Sequence, residues 1–173
     1  LAEGSESFAL QLSEPQGLTI GDGEGVGTIL DGGPAAIILV TSAGDPGDGL
    51  CTPGECTLRE AIALGNTLEL VRIGFDIPGA LPHVIRPLTP LPVPGRPIHT
   101  IDGYTQPGSS RGGPVDDWAT LDNLIGIELD GSALGVGSTG LNLIYGASVR
   151  GLAIHSWRGA GLRLTTRADG RPM

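Results

Sequence analysis

Short apolar segments, each introduced by a glycine, recur along the last third of the chain at intervals of ten or eleven residues. The clearest are 140–144, 151–154 and 161–164, which share the pattern Gly-Leu-x-Leu/Ile. Self-similarity of this kind is typical of solenoids, in which each unit buries its aliphatic side chains against its neighbours. Hairpins are the alternative, but the Asn-Gly or Asp-Gly turns that favour them are missing between these units. The pattern therefore predicts short parallel strands stacked in coils, as a right-handed parallel β-helix.

Three earlier segments, 68–79, 98–103 and 125–131, resemble strands of the same array. The composition agrees with this interpretation, because 30 Gly and 14 Pro among 173 residues break the chain into short pieces. Aromatic residues make up only 3% of the chain, so its core must consist of Leu, Ile and Val. These features favour an all-β class with many short strands.

A helix-start signal follows directly after the only two cysteines, Cys51 and Cys56. Thr57 and Glu60 have the Ser/Thr-x-x-Glu spacing of a capping box, in which each side chain bonds a backbone N–H that the helix start leaves unpaired. The pair Gly65-Asn66 supplies a stop signal within about two turns. We therefore predict a short N-terminal capping helix that covers backbone groups of the first coil.

The cysteine pair favours a disulfide, because an even count at close spacing in a Gly-rich, acidic chain is typical of oxidising compartments. Closing so short a loop stabilises the fold by about 2 kcal/mol on the chain-entropy account. Two free thiols are the alternative. Zinc is disfavoured, since two thiolates need two more ligands, and His83, His99 and His155 are scattered without ligand spacing.

The first part of the chain has a different pattern. Residues 8–12 alternate between apolar and polar positions, and 25–30 carries β-branched residues, so together they predict the last hairpin of an antiparallel β-sandwich. The continuous apolar run 36–41 predicts a buried strand that enters a second domain. We therefore assign 1–33 to the sandwich and 34–173 to the β-helix, and expect both to be parts of a longer protein.

The net charge is −9, from 19 acidic and ten basic side chains. This excess of acid repels phosphate and disfavours nucleic-acid binding, whereas it suits calcium binding or simple solubility. No run of about 18 apolar residues occurs, so the sequence predicts no membrane-spanning segment.

The first domain resembles a known family. Residues 8–15 and 20–31 are similar to the final two strands of a Calx-beta domain, a calcium-binding β-sandwich found in exchangers, integrins and long bacterial surface proteins. The resemblance implies Asp31 as a calcium ligand. In that family the last strand usually runs into two or three acidic residues, whereas two glycines follow Asp31 here, and a solvated turn residue is the alternative.

The second domain resembles the CSLREA domain over roughly residues 36 to 165. The motifs that carry this resemblance, in the family's order, are 56–62, 73–79, 85–87, 101–108 and 128–131. Thr57 replaces the Ser of the family's name. The resemblance implies the start of a pectin-lyase-like β-helix in a large secreted or surface-anchored bacterial protein.

Few acidic residues form a pattern that indicates catalysis. Asp116 and Asp117 are adjacent, but neighbours on a strand point to opposite faces, so a solvated loop is the favoured interpretation. Asp102 and Asp130 each precede a glycine at a strand end, which predicts a turn role. The alternative for these two is a carboxylate ladder across stacked coils that attracts calcium.

The remaining candidates are a histidine and a set of aromatic residues. His155, next to a serine and a tryptophan, is expected to be a polar residue at a strand end. The aromatic residues Tyr104, Trp118, Tyr145 and Trp157 either stack on sugars or fill the core, and core filling is favoured.

These patterns predict a non-enzymatic scaffold or adhesion segment, extracellular or on the cell surface, with extracellular glycans or surface proteins as partners. No catalytic or cofactor-binding residue is predicted, the metal site rests on Asp31 with calcium as its ion, and Cys51 and Cys56 are structural. The alternative is the N-terminal part of a β-helix polysaccharide lyase or hydrolase whose catalytic coils lie downstream. A carbohydrate-binding module is a third hypothesis.

Overall fold

The structure is a computed structural model that describes residues 6–17, 19–29, 35–68, 70–95, 98–112, 123–144 and 147–165. The chain divides into two compact units, Leu1–Ala35 and Ala36–Met173. The described parts are mostly strands, with one α-helix.

The first unit contains an antiparallel hairpin of β1 (Glu6–Gln11) and β2 (Glu24–Ile29). Phe8 stands opposite Gly27, and its ring occupies the space that a side chain at this glycine would need. The amide of Leu12 donates to the carbonyl of Gly23 at 2.8 Å, which closes the loop between the strands. The predicted hairpin is therefore confirmed, although each strand begins one or two residues earlier than predicted.

The second unit begins with a strand, a helix and a second strand. These are β3 (Ala36–Val40), α1 (Leu58–Gly65) and β4 (Val71–Phe75), and the two strands pair in parallel. The elements that follow are β5 (His83–Ile85), β6 (Ile98–Asp102), a 3-10 turn (Gly103–Thr105), β7 (Ile127–Asp130), β8 (Leu141–Ile144), β9 (Ser148–Arg150), β10 (Leu152–His155) and β11 (Leu162–Thr165).

All described strand pairs of the second unit are parallel, and they form three sheets. The first sheet has the order β3-β4-β6-β9, the second has the order β5-β7-β10, and the third pairs β8 with β11. The chain visits the sheets in turn, so that β6, β7 and β8 are followed in the same sequence by β9, β10 and β11. The glycine-led repeats are therefore parallel strands rather than hairpins.

The core consists of aliphatic side chains in rows that run across the strands. In the first sheet Ile38, Ile73 and Ile101 are aligned in register and buried. In the second sheet Ile85 and Leu129 are aligned in the same way. Burying each such side chain contributes roughly 1.5–3 kcal/mol, which explains why a core poor in aromatic residues suffices.

The helix α1 begins and ends where the sequence predicts. Thr57 is the N-cap, its side chain accepts from the Glu60 amide, and the Glu60 side chain accepts from the Thr57 amide, so the capping box is confirmed. After Gly65, the amide of Asn66 donates to the carbonyl of Ile62 at 3.0 Å. Helical residues of the inner face, including Leu58 and Ile62, are buried in the core.

The repeated glycines allow neighbouring turns of the chain to approach each other. A side chain at Gly103 would collide with the carbonyl of Gly151, which itself has a φ of +67°. A side chain at Gly140 would likewise collide with the carbonyl of Gly161. Because backbone cannot move aside as a flexible side chain can, these positions require glycine.

Candidate functional site

Several residues that the sequence singles out lie outside the described residues. They are Asp31, the predicted calcium ligand, together with Asp116, Asp117, Trp118 and Tyr145. The candidate sites below therefore consist of other side chains, and only some of them were anticipated.

A cluster of three carboxylates lies beside the cysteine pair. One oxygen from each of Asp48, Glu55 and Glu60 lies within 4.8 Å of the others, so the cluster could hold a metal ion. Its donor atoms are all oxygen, which is the chemistry of hard cations. No sequence pattern indicates this site, because Asp48 lies ten positions before the helix and the capping box by itself accounts for Glu60.

Glu60 is the buried member of this cluster, and its carboxylate is already hydrogen-bonded. It accepts from the amide of Gly49 at 2.7 Å, and from the amide and hydroxyl of Thr57 at 2.8 and 2.9 Å. Burial raises the pKa of Glu60, but the hydrogen bonds from Thr57 and Gly49 together outweigh it and hold the pKa below its usual range. The carboxylate is therefore charged at neutral pH, and its hydrogen bonds to Thr57 cap the helix whether or not a metal ion is bound.

The disulfide is the second element of this region. Cys51 and Cys56 are bonded, and the described residues contain no free cysteine. The carbonyl of Cys56 accepts from the amides of Thr41 and Ser42, at 2.9 and 3.1 Å. The disulfide loop is thus attached to the chain that leaves β3, which is a structural role.

Arg59 of α1 is a largely buried side chain that bonds two other segments of the chain. Its guanidinium donates to the carboxylate of Asp45 from two nitrogens, at 2.7 and 3.0 Å, and to the carbonyls of Thr89 and Pro90. The side chain of Asp45 is almost fully buried, and it also accepts from the amide of Leu88. Arg59 thus joins the start of the helix to the buried carboxylate of Asp45.

Asp130 has the predicted turn role and an additional ion pair. One carboxylate oxygen accepts from the Ser132 amide at 2.9 Å, and the other accepts from Arg86 at 2.7 Å. The hydrogen bond from Ser132, aided by Arg86, lowers the pKa of Asp130 to about 2 despite burial of the carboxyl group.

Asp102 has an equivalent arrangement in the first sheet. It accepts from the amide of Tyr104 at 3.1 Å and from Arg150 at 2.6 Å. The contact raises the pKa of the Arg150 guanidinium, first through the hydrogen bond and then through the charge of Asp102. Since Asp102 lies on β6 and Asp130 on β7, which belong to different sheets, the two carboxylates do not form the alternative ladder.

His155 is the last residue of β10, as the sequence analysis expects, but it has more partners than predicted. Its Nδ1 lies 2.9 Å from the hydroxyl of Ser156, and its Nε2 lies 3.4 Å from a carboxylate oxygen of Glu128. Ser156 has a φ of +61°, which is unusual for a residue with a side chain. An imidazole between a hydroxyl and a carboxylate can relay a proton, although this one is exposed.

A groove of about 240 Å³ lies on the outer face of the first sheet. Its polar lining comprises Arg72, Thr100, Asp102, Thr105 and Arg150. Among the residues that the structure describes, no ion pair involves Arg72, whereas Arg150 is paired. The groove therefore presents one available cation on a protein of negative net charge.

The two described aromatic candidates do not form a common face for sugars. Trp157 is partly buried, packs against the core, and donates to the carbonyl of Leu129 at 3.3 Å. Its ring fills the space beside Gly131, where a side chain would collide with it. Tyr104 contacts Asn123 through its hydroxyl at 3.4 Å. Core filling is thus the role of Trp157.

Compared with known proteins, the sequence matches no family model, no curated protein and no solved structure. Within the described ranges, no helix has the length and apolar character that crossing a membrane requires. The disulfide is consistent with an oxidising, extracellular environment.

Proposed function

We propose that residues 36–165 are the first coils of a right-handed parallel β-helix, and that the chain is a non-catalytic extracellular scaffold or adhesion segment. The observation that carries this proposal is the order in which the chain visits its sheets. Parallel pairing in three sheets, repeated as β6-β7-β8 and then β9-β10-β11, is what a solenoid of stacked coils requires. The resemblance to CSLREA and Calx-beta domains suggests a secreted or surface-anchored bacterial protein.

The use of the charged residues supports a mechanical role. Three arginines, Arg59, Arg86 and Arg150, each bond a carboxylate from a distant part of the chain. The carboxylates of Asp45, Asp102 and Asp130 also accept backbone amides. These groups are committed to joining segments of the scaffold rather than presented to a substrate.

The non-catalytic role of the coils in this chain is tested by incubating the chain with pectin and with alginate, and measuring reducing ends and unsaturated products. We expect no release above the blank. Release that disappears in His155→Ala, and persists in the matched exposed-residue variant Arg163→Ala, would overturn the scaffold proposal. An experimental structure with left-handed connections between the sheets would overturn the β-helix assignment.

A second candidate function, glycan binding, is favoured by the groove that contains Arg72. The guanidinium of Arg72, which has no described ion pair, suits a sugar that carries a carboxylate. We expect an acidic oligosaccharide such as oligogalacturonate to bind, and neutral dextran not to bind, in calorimetry at low salt. Arg72→Ala should abolish this binding while Arg163→Ala retains it, and equal loss in both variants would contradict the assignment.

We infer that calcium is the ion that the cluster of Asp48, Glu55 and Glu60 would take, because its donors are all oxygen. A weak site is expected, with a dissociation constant of about 10⁻⁴–10⁻³ M, since Glu60 is already hydrogen-bonded and calcium needs 6–8 oxygen ligands. Calorimetric titration of Glu55→Gln should show the binding lost, whereas Asp31→Asn should retain it. The reverse result would place calcium at the site implied by the Calx-beta resemblance.

A further inference from the structure

The register of the second sheet places the histidine at the end of β10 beside two carboxylates of β7. His155 is paired with Asp130, and Glu128 lies two residues before Asp130, on the same face of that strand. The Nε2 atom of His155 lies 3.4 Å from a carboxylate oxygen of Glu128. Because a carboxylate only accepts hydrogen bonds, we assign the ring hydrogen of this pair to Nε2. The Nδ1 atom is then an acceptor.

Ser156 follows directly and presents its hydroxyl to this acceptor. Its Oγ lies 2.9 Å from Nδ1 of His155. The residue is exposed, so a molecule in solution can reach the hydroxyl. Its backbone has a φ of +61°, in the left-handed region that few residues with a side chain adopt. Residues held in such conformations cluster at functional sites, where the strain serves to position a side chain.

The neighbouring carboxylate of Asp130 does not compete for the imidazole. Its two oxygens accept from the amide of Ser132 and from the guanidinium of Arg86, and it lies 3.9 Å from Nδ1 of His155, beyond hydrogen-bond distance. Nδ1 is therefore left to the hydroxyl of Ser156. A hydroxyl bonded to a base, with the base oriented by a third group, is the arrangement that activates a nucleophilic serine.

We propose that Ser156 is an acyl-acceptor site, which takes one acyl group from an oxygen ester with a good leaving group such as a phenolate. The Oγ atom attacks the ester carbonyl carbon while Nδ1 of His155 takes the hydroxyl proton. The bond from that carbon to the leaving oxygen then breaks, and the leaving group takes the proton from the imidazolium. The acyl group remains as an ester on Oγ. The carboxylate of Glu128 orients the ring and balances the charge that the ring gains.

The hydrogen-bond donors of the adjoining segments favour a single acylation over repeated turnover. The amide of Gly131 donates to the carbonyl of His155 at 3.0 Å, and the indole of Trp157 donates to the carbonyl of Leu129 at 3.3 Å, so neither is free to stabilise an oxyanion. Loss of one such donor costs an enzyme about 10²–10³ in rate. Acylation therefore requires an activated ester, and the product, an unactivated ester of Ser156, should persist. The site adds to the scaffold role and does not rest on it.

The experiment treats the full chain with excess p-nitrophenyl acetate, follows nitrophenolate by absorbance, and locates the acetyl group by peptide mass spectrometry. We expect a burst of one equivalent per chain, and acetylation of Ser156 about 10²-fold faster than that of Ser13, an exposed serine of the first unit, since a positioned general base contributes at least this factor. Acetylation of Ser156 no faster than that of Ser13, or a stable acetyl group on His155 instead, overturns the proposal. Sustained release that Ser156→Gly abolishes also overturns it, because the chain would then be an esterase.

Variants separate the acceptor, the base and the positioning residue. Ser156→Gly should abolish the burst, and it cannot do so by misfolding, because glycine adopts a positive φ readily. His155→Gln should lower the acetylation rate about 10²-fold, and Arg163→Ala, the matched exposed-residue control, should not change it. Glu128→Ala should slow acetylation, whereas Glu128→Gln should restore part of the rate, since its amide oxygen still accepts from Nε2. Circular dichroism verifies folding, and a folded His155→Gln variant that reacts as fast as the parent chain contradicts the proposal.

Discussion

The carboxylate of Glu60 joins the helix start to the loop that precedes the disulfide, and we expect Glu60→Ala to be the most informative single substitution. The side chain is 3% exposed, and the substitution removes hydrogen bonds to Thr57 and Gly49 together. Thr57 is fully buried, so its amide loses its partner without access to water.

The magnitude follows from these contacts. A hydrogen bond to a charged group contributes about 1.5–3 kcal/mol. Loss of the bond from the buried amide of Thr57 should therefore cost about 2 kcal/mol. The amide of Gly49 is exposed and can bond water, so its loss should cost about 1 kcal/mol. Alanine recovers a few tenths of a kcal/mol through its helix propensity. We therefore expect the free energy of unfolding to fall by about 3 kcal/mol, and by about half as much in Glu60→Gln, which retains one acceptor oxygen.

Urea denaturation under non-reducing conditions, followed by tryptophan fluorescence, measures this difference. Glu55→Gln is the control, because Glu55 belongs to the same cluster but no described hydrogen bond uses its carboxylate, and it should change stability by less than about 0.5 kcal/mol. Because folding lowers the pKa of Glu60, its contribution is present above the ordinary glutamate pKa and is lost as the pH falls through the lowered value. The reasoning is refuted if Glu60→Ala is as stable as Glu55→Gln at pH 7.

Three further predictions concern other parts of the second unit. Asp130→Asn should remove stability of about 1–2 kcal/mol that is present above pH 3.8 and lost as the pH falls towards 2, since folding lowers the carboxyl pKa from 3.8 to about 2 and the exposed Arg86 is screened by solvent. Reducing the disulfide Cys51–Cys56 should lower the free energy of unfolding by about 2 kcal/mol, the loop-entropy value for so short a loop. Gly103→Ala should cost more than about 3 kcal/mol, because its methyl group would collide with the carbonyl of Gly151.

The same urea assay checks these three predictions. For Asp130→Asn it is repeated from pH 7 to pH 2, and a difference from the parent chain that does not shrink in acid contradicts the assigned pKa. For the disulfide, equal midpoints with and without reductant contradict the entropic account. The control for Gly103→Ala is Gly135→Ala, whose added methyl group would meet nothing within 4 Å. Equal stability of these two alanine variants would show that the coils do not approach as described.

The sequence predicted the local elements of this protein well. The capping box of Thr57 and Glu60 and the stop at Gly65 were visible because a helix end depends on residues within one turn of each other. The glycine-led repeats indicated strands, since alternation along a few residues decides which side chains face inward. Two strands were missed, β5 and β9, because three residues are too few to show a period.

The candidate sites depended on contacts that no local pattern contains. Asp130 forms an ion pair with Arg86, which lies 44 positions earlier in the sequence. Arg59 forms an ion pair with Asp45, which lies 14 positions earlier. The sequence allowed a carboxylate ladder of Asp102 and Asp130, because both residues precede a glycine at a strand end. The ladder does not form, because the two residues lie on strands of different sheets. The separation of Asp102 and Asp130 along the chain does not indicate which sheet each residue will join.

By itself, then, the sequence determined the short aliphatic strands, the capped helix, the close cysteine pair and the negative net charge, all of which follow from neighbouring residues or from composition. Only the tertiary structure decided the parallel order of the strands and the pairing of each arginine. The physical reason is that strand order and register are set by the burial of side chains from many coils at once, so they exist only when the whole array is assembled.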